Sequence, residues 1–228
     1  IMKSIPLPAS IGRVCPHPCE DACRRGQKDE PISILWLKRY AADHYFKEGN
    51  LLELPFLEKL RPEREKDLGG KRISIIGGGP MGLSAAFFLR QKGYPVTVYE
   101  AMPQAGGMLR YGIPQYRLPN EIIDEEIRLM EALGVELRTG IKVGTDISFE
   151  TIREESVAVL LAVGAWVSTG IGCPGEDLPG VVGGIQFLER VARKEPVTVG
   201  QRVAIIGGGN TAMDACRTAV RLGATEVY

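Results

Sequence analysis

Apolar positions along the chain follow two rhythms, and each change of rhythm marks a new element. Uninterrupted apolar runs at Ile73–Ile76, Val96–Tyr99 and Val157–Ala165 predict strands buried on both faces of a parallel sheet. Between and after them a helical spacing takes over. It predicts one helix from Pro80 through Leu83, Phe87 and Leu89, closed by Gly93. It predicts another capped by Asn120, with Ile123, Ile127, Met130 and Leu133 on one face and Gly134 at its end. Val135–Leu137 and Ile141–Val143 read as short strands. A helix around Ile185–Lys194, a strand over Arg202–Ile206, a helix to about Arg221 ended by Gly223, and a strand starting at Glu226 complete the series. Strands alternating with helices predict an α/β fold. Ahead of them, Pro31–Glu48 reads as a packing helix with Ile34, Leu37, Ala41 and Tyr45 on its inner face. Lys38, Arg39, Asp43 and Lys47 fall largely on the other face, and Gly49-Asn50 ends the helix. Residues 51–70, with Pro55, Pro62, a charged run and Gly69-Gly70, read as a linker.

Two strand–helix junctions carry the chemistry. Gly77, Gly79 and Gly82 follow the first strand in G-x-G-x-x-G spacing. That spacing allows a tight turn, lets backbone approach a pyrophosphate and lets the helix pack closely on the strand. Pro80 occupies a first-turn position where the missing N–H costs nothing. Glu100 ends the following strand 23 residues after Gly77, where a carboxylate can accept hydrogen bonds from ribose hydroxyls. The stretch after it, with Gly106, Gly107, Gly112, Pro114 and Pro119, is too long and glycine-rich for a plain connector. The third predicted strand ends in small residues, where a cofactor can approach the backbone; Trp166 just beyond reads as a partly buried aromatic or a stacking platform. The opening pattern then recurs: Gly207, Gly208, Gly209, Asn210, Thr211 and Ala212 have G-x-G-x-x-A spacing. One such turn accommodates one pyrophosphate at a helix N-terminus, so two imply two dinucleotides. A flavin and a nicotinamide held face to face fit that arrangement.

Charge narrows the partners. The 28 basic and 28 acidic residues cancel, which argues against a nucleic-acid partner. No apolar run approaches the roughly 20 residues that span a bilayer, and no signal peptide opens the sequence. The five cysteines are odd in number and three cluster, so a reducing, cytoplasmic setting is expected. That cluster is Cys15-Pro16-His17-Pro18-Cys19-Glu20-Asp21-Ala22-Cys23, flanked by Arg13, Arg24 and Arg25. Its prolines place the thiols on a wrapped loop, and neighbouring arginines lower thiol pKa. Three readings stand: an iron–sulfur cluster with a ligand supplied from elsewhere, a zinc site using His17, or free structural thiols. Cys173 and Cys216 lack partner spacing and read as inert, and His44 as a surface or satisfied residue.

The ordered phrases GRVCPHPCEDACRRG, PISILWLKRYAADHYF, IIGGGPMGLSAA, AGGMLRYGIPQYRLP, LAVGA, PGEDLPGV and IIGGGNTAMDA span nearly the whole chain. Together they resemble the small-subunit family of glutamate synthase, which includes the N-terminal half of dihydropyrimidine dehydrogenase and the large subunit of electron-bifurcating transhydrogenases. The resemblance implies a helical iron–sulfur domain with a linker over residues 1–66, a Rossmann-like FAD domain over 67–182, and an inserted Rossmann-like NAD(P) domain starting at 183–228. It implies that Gly77, Gly78, Gly79, Pro80, Met81 and Gly82 hold the FAD pyrophosphate and Glu100 its ribose. Gly106, Gly107 and Met108 would cover the cofactor, with Arg117, the backbone at Val143 and Gly164 completing the contacts. Gly207 to Ala212 would cradle the nicotinamide dinucleotide, and Cys15, Cys19 and Cys23 would ligate a 4Fe-4S cluster. Lys38 stands where some relatives place a glutamine or glutamate ligand, and an ammonium cannot ligate iron. The NAD(P) domain is cut short at Tyr228, so a piece of a longer protein is expected.

The activity so implied is hydride exchange between NAD(P)H and FAD, with electrons passing between FAD and clusters to or from a partner subunit or domain carrying the terminal substrate. Such hydride transfer needs no acid–base residue, and none is assigned as catalytic. A thioredoxin-reductase-like disulfide reductase would require a C-x-x-C pair, which this sequence lacks. A relay or scaffold subunit without nicotinamide turnover is the non-enzymatic alternative.

Overall fold

The computed structural model describes residues 1–47 and 54–228. Four helices come first: α1 (Pro8–Val14), α2 (Pro18–Asp21), α3 (Ile34–Lys47) and α4 (Leu54–Leu60), with one 3-10 turn at Arg24–Gln27. A strand, β1 (Arg72–Ile76), then leads through α5 (Pro80–Gln91) to β2 (Val96–Glu100). Helices α6 (Met108–Tyr111) and α7 (Asn120–Ala132) connect to β3 (Val135–Thr139), and α8 (Phe149–Glu154) leads to β4 (Ser156–Leu161). These strands form one parallel sheet in the order β3-β2-β1-β4. Ile75 is flanked by Val98 and Leu160 in the ladder, and Val98 by Leu137. α9 (Gly184–Ala192), β5 (Arg202–Val203), α10 (Asn210–Arg221) and β6 (Glu226–Val227) follow, with β5 and β6 paired in parallel as a second sheet.

One core joins the first sheet to the N-terminal helices. Ile75, Leu83, Phe87, Val98, Ile123, Leu129 and Met130 pack together, as the predicted spacing of strand and helix requires. Met2, Leu7, Leu57 and Leu60 belong to the same cluster. A polar anchor reinforces it. Glu126, fully buried on α7, accepts hydrogen bonds from Ala9 N at 2.7 Å and from Ser10 Oγ at 2.5 Å. The carboxylate also accepts from Ser10 N at 3.3 Å, so it satisfies two first-turn amides of α1. Burial outweighs them and pushes the Glu126 carboxyl up to about 7.

Several expected elements differ. The helix read over Pro31–Glu48 starts at Ile34, because the amide of Leu35 is capped by Glu20 Oε1 at 2.7 Å; Glu48 and Gly49-Asn50 lie outside the described residues. Its orientation is also reversed. Leu35 and Ala42 are buried, whereas Ile34, Leu37, Ala41 and Tyr45 are exposed. The cause is α1: Gly12 lets the α3 backbone at Arg39 approach closely, and Arg13 Nη1 pairs with Asp43 Oδ1 at 2.7 Å. Within the expected linker, α4 is helical and inserts Leu57 and Leu60 into the core; residues 51–53 lie outside the described residues. Asn120 is the first helical residue of α7 rather than its cap, which is Pro119. Residues 141–143 form no strand, only a bridge between Val143 and Ile147. β4 is an edge strand with Val157 and Leu161 exposed, since it has β1 on one side only among the described residues. β5 is shorter than expected because β6 offers it only two ladder positions.

Candidate functional site

The carboxyl ends of β1, β2 and β4 meet around the first glycine turn. Gly77 adopts φ 111°, and any side chain there would strike the carbonyl oxygen of Ala162 just after β4. Gly79 caps α5, which leaves the amides of Met81 and Gly82 without intrahelical acceptors. Glu100, at the end of β2, is 5% exposed. Its Oε2 accepts from Gly78 N at 2.7 Å and its Oε1 from Met102 N at 2.7 Å. Each carboxylate oxygen retains a second lone pair, so the group can still accept from a ribose hydroxyl.

The stretch after β2 folds back over this turn. Gly106 N donates to Gly78 O at 2.8 Å, and Gly107, at φ 51°, comes so close that a methyl group on it would stand 2.7 Å from Gly79 Cα. Met108 starts α6 directly behind. Buried Arg110 holds the fold-back by donating to Ala105 O at 2.7 Å and pairing with Asp124 on α7. Val143 lies on the turn tied to the end of β2, where Ile141 N donates to Glu100 O at 2.9 Å. Gly164 follows β4 at φ 71°, and Trp166 is half-buried, tilted against Tyr111 at 6.0 Å. These backbone segments form a cradle that side chains would fill, and a dinucleotide fits it.

The second turn repeats the geometry with more open surroundings. Gly207 has φ 130°, Gly209 caps α10, and Gly208 and Gly209 have open space where a Cβ would stand. The first-turn amides of α10 lack intrahelical acceptors, as on α5. Arg117 is not in the first cradle's hydrogen-bond network. Its guanidinium pairs instead with Asp214 on α10 at 2.5 Å. Asp214 went unnoticed in the sequence, although it sits inside the GGGNTAMDA phrase, one helical turn beyond the glycines. Glu126 and Arg110 were missed as well; the signal for Glu126 was a carboxylate between Ile123, Ile127 and Met130 on an otherwise apolar face.

The structure does not gather the clustered cysteines. Cys15 ends α1, with its sulfur accepting from His17 N at 3.4 Å; Cys19 lies on α2 and is exposed; Cys23 precedes the 3-10 turn. The N–H groups of Ile32 and Arg25 hold the Cys23 thiol below its ordinary range. Among the described residues, no group of three or more His, Cys, Asp or Glu side chains stands where it could hold one metal ion. Cys19 is exposed on the short helix α2, which Pro18 begins. No described helix is long and apolar enough to cross a membrane.

Comparison with known proteins agrees with the two turns. Residues 71–228 match the family of pyridine nucleotide-disulphide oxidoreductases. Residues 1–50 match the family described as dihydropyrimidine dehydrogenase domain II, 4Fe-4S cluster. The NADP(+)-dependent formate dehydrogenase subunit beta of Moorella thermoacetica is 42% identical over 243 residues, covering 100% of this chain and 34% of that protein. The glutamate synthase (NADPH) small chain of Mycobacterium tuberculosis is 36% identical over 235 residues, covering 97% of this chain and 46% of that protein. The chain therefore spans between a third and a half of these relatives. Among solved structures, Mycobacterium tuberculosis FprA in complex with NADPH superposes with a TM-score of 0.57 at 26% identity, covering 64% of this chain and 36% of that one.

Proposed function

The chain belongs to the pyridine nucleotide-disulphide oxidoreductase family, and from that premise we propose that it is part of a flavin-dependent NAD(P)H oxidoreductase serving a partner subunit or domain. The observation that carries this reading is the presence of two glycine turns, each opening a helix of 12 residues, in one chain. When bound, FAD and NAD(P)H supply the two-electron chemistry, and the protein supplies their placement.

In this reading Gly77 to Gly82 hold the FAD pyrophosphate on backbone amides at the start of α5. Glu100 takes the ribose while two backbone N–H groups keep its carboxylate fixed. Gly106, Gly107 and Met108 close over the cofactor and exclude water, with the backbone at Val143 and Gly164 at the rim. Gly207 to Ala212 hold the nicotinamide dinucleotide at the start of α10. Relatives named for NADP or NADPH favour NADPH as that nucleotide. The N-terminal match adds an iron–sulfur role, with Cys15, Cys19 and Cys23 as its thiols. A further ligand must come from outside the three cysteines.

An anaerobic absorbance titration of the full-length protein with NADPH and, separately, NADH tests the proposal, with iron and sulfide assayed on the same sample. Bleaching of a flavin band by NADPH, with iron and sulfide present, is expected. A bound flavin that neither nucleotide reduces would refute the oxidoreductase reading, and zinc in place of iron would refute the cluster assignment.

A further inference from the structure

We propose that Arg117 and Asp214 form a positioning pair that sets the second dinucleotide unit against the first; this deepens the two-cofactor reading above and rests on it. The residues are 97 positions apart. Arg117 lies on the turn before α7 and Asp214 one turn into α10. Arg117 Nη1 donates to Asp214 Oδ2 at 2.5 Å, and the Asp214 side chain is 3% exposed, so its charge is held out of water. The neighbouring Tyr116 hydroxyl donates to the carbonyl of Asp214 at 3.3 Å. The guanidinium of Arg221, two turns further along α10, lies 3.8 Å from the centre of the Tyr116 ring. Residues 116 and 117 thus grip one face of α10 at two heights.

The polar groups of that face are incompletely paired. Asp214 Oδ1 and Thr218 Oγ1, one turn apart, are buried without a hydrogen-bond partner among the described residues. Unpaired buried polar atoms weaken a contact surface. Beside them a cavity of about 230 Å³ opens between Ile113, Tyr116, Leu188 and Leu222. The ion pair is therefore the charged tie that fixes this turn on α10, beside the packing of α9 against the buried alanines of α10. The consequence reaches the second turn directly. Asp214 stands four residues from the start of α10, or about 6 Å along its axis, so a tilt about this contact carries the glycines of the second turn with it. Reacting atoms must come within about 3–3.5 Å, so such a tilt slows transfer between the cofactors while leaving each one bound.

The test uses the full-length protein with Asp214→Asn, Arg117→Gln and the exchanged pair Arg117→Asp/Asp214→Arg. Flavin content, the equilibrium constant for NADP+, anaerobic flavin reduction at saturating NADPH, and amide hydrogen exchange are measured on each. Each single variant is expected to slow flavin reduction roughly 10- to 100-fold. Flavin content and NADP+ affinity should stay within about twofold of wild type. Amides of 113–118 and of α10 should exchange faster in both single variants, and the exchanged pair should recover part of both effects. Loss of flavin or of NADP+ affinity at an unchanged saturating rate would overturn the proposal and make Arg117 a cofactor contact. Unchanged hydrogen exchange in the single variants, or an exchanged pair no better than either, would overturn it as well. If NADPH fails to reduce the wild-type flavin, the oxidoreductase reading falls, and hydrogen exchange still decides whether the pair orders α10.

Discussion

Replacing Glu126 with glutamine is expected to remove a pH dependence of stability that the wild-type chain carries between about pH 4.5 and 7. Glu126 is fully buried on α7 and receives Ala9 N, Ser10 N and Ser10 Oγ from α1, with Arg13 nearby. Those contacts favour the carboxylate, but burial opposes it more strongly, and the carboxyl rises from 4.5 to about 7. The folded chain therefore holds this proton more tightly than the unfolded chain does. Its contribution is fully present below about pH 4.5, falls as pH rises, and is gone above about pH 7. At about 1.4 kcal/mol per pH unit, the difference is on the order of 3 kcal/mol. Glutamine keeps a carbonyl oxygen for the α1 amides and cannot titrate. Urea unfolding of wild type and Glu126→Gln at closely spaced pH values measures the effect, because other titrating groups cancel in the difference. Wild type should lose on the order of 3 kcal/mol relative to the variant across this range. A difference that stays flat from pH 4.5 to 8 would show that burial does not dominate at Glu126, and the account of the α1–α7 anchor would be wrong.

The two glycine turns should respond differently to a single methyl group. Gly77→Ala meets Ala162 O at a φ of 111° and is expected to cost more than about 1 kcal/mol in urea unfolding and to abolish flavin retention. Gly208→Ala meets open space, so its melting temperature should not change while NADP+ affinity falls. Equal destabilisation by both would contradict the close approach described for the first turn. Glu100→Gln leaves one of the Gly78 and Met102 amides without its acceptor, with an expected loss of about 1–3 kcal/mol together with weakened flavin binding. Flavin binding unchanged on gel filtration would remove Glu100 from the site. Asp124→Ala strips buried Arg110 of its carboxylate and should cost about 2 kcal/mol or more, read by chemical denaturation.

The first dinucleotide unit was legible because its signals are local and mutually consistent. An apolar run, a glycine turn, a helix ended by Gly93, a second strand and Glu100 each restrict the same 29 residues, Arg72 to Glu100, and β1, α5 and β2 follow that order. The fold-back of Gly106 and Gly107 was legible only as an irregular, glycine-rich stretch. Its docking on Gly79 depends on Arg110 reaching Asp124 on α7, a contact with no periodic trace in the sequence. Edge or centre for β4 was equally hidden, since an apolar run reports burial in some assembly of strands and does not say which neighbours are present.

The reversed face of α3 shows what decides when periodicity and tertiary contact disagree. A helical spacing of Ile34, Leu37, Ala41 and Tyr45 predicts an apolar inner stripe, and as an isolated amphipathic helix that is the face to bury. The competing face, on which Leu35 and Ala42 are buried, is the one turned inward. It wins locally because Glu20 caps Leu35, Gly12 permits close backbone approach, and Asp43 is shared between Arg13 and Arg39 at 2.7 and 3.5 Å. The same logic operates at Arg117, where a residue assigned by motif to one cradle is captured by a carboxylate on the next unit. In both places a charged side chain 30 to 97 positions away chooses the orientation, and hydrophobic spacing along one element carries no record of it.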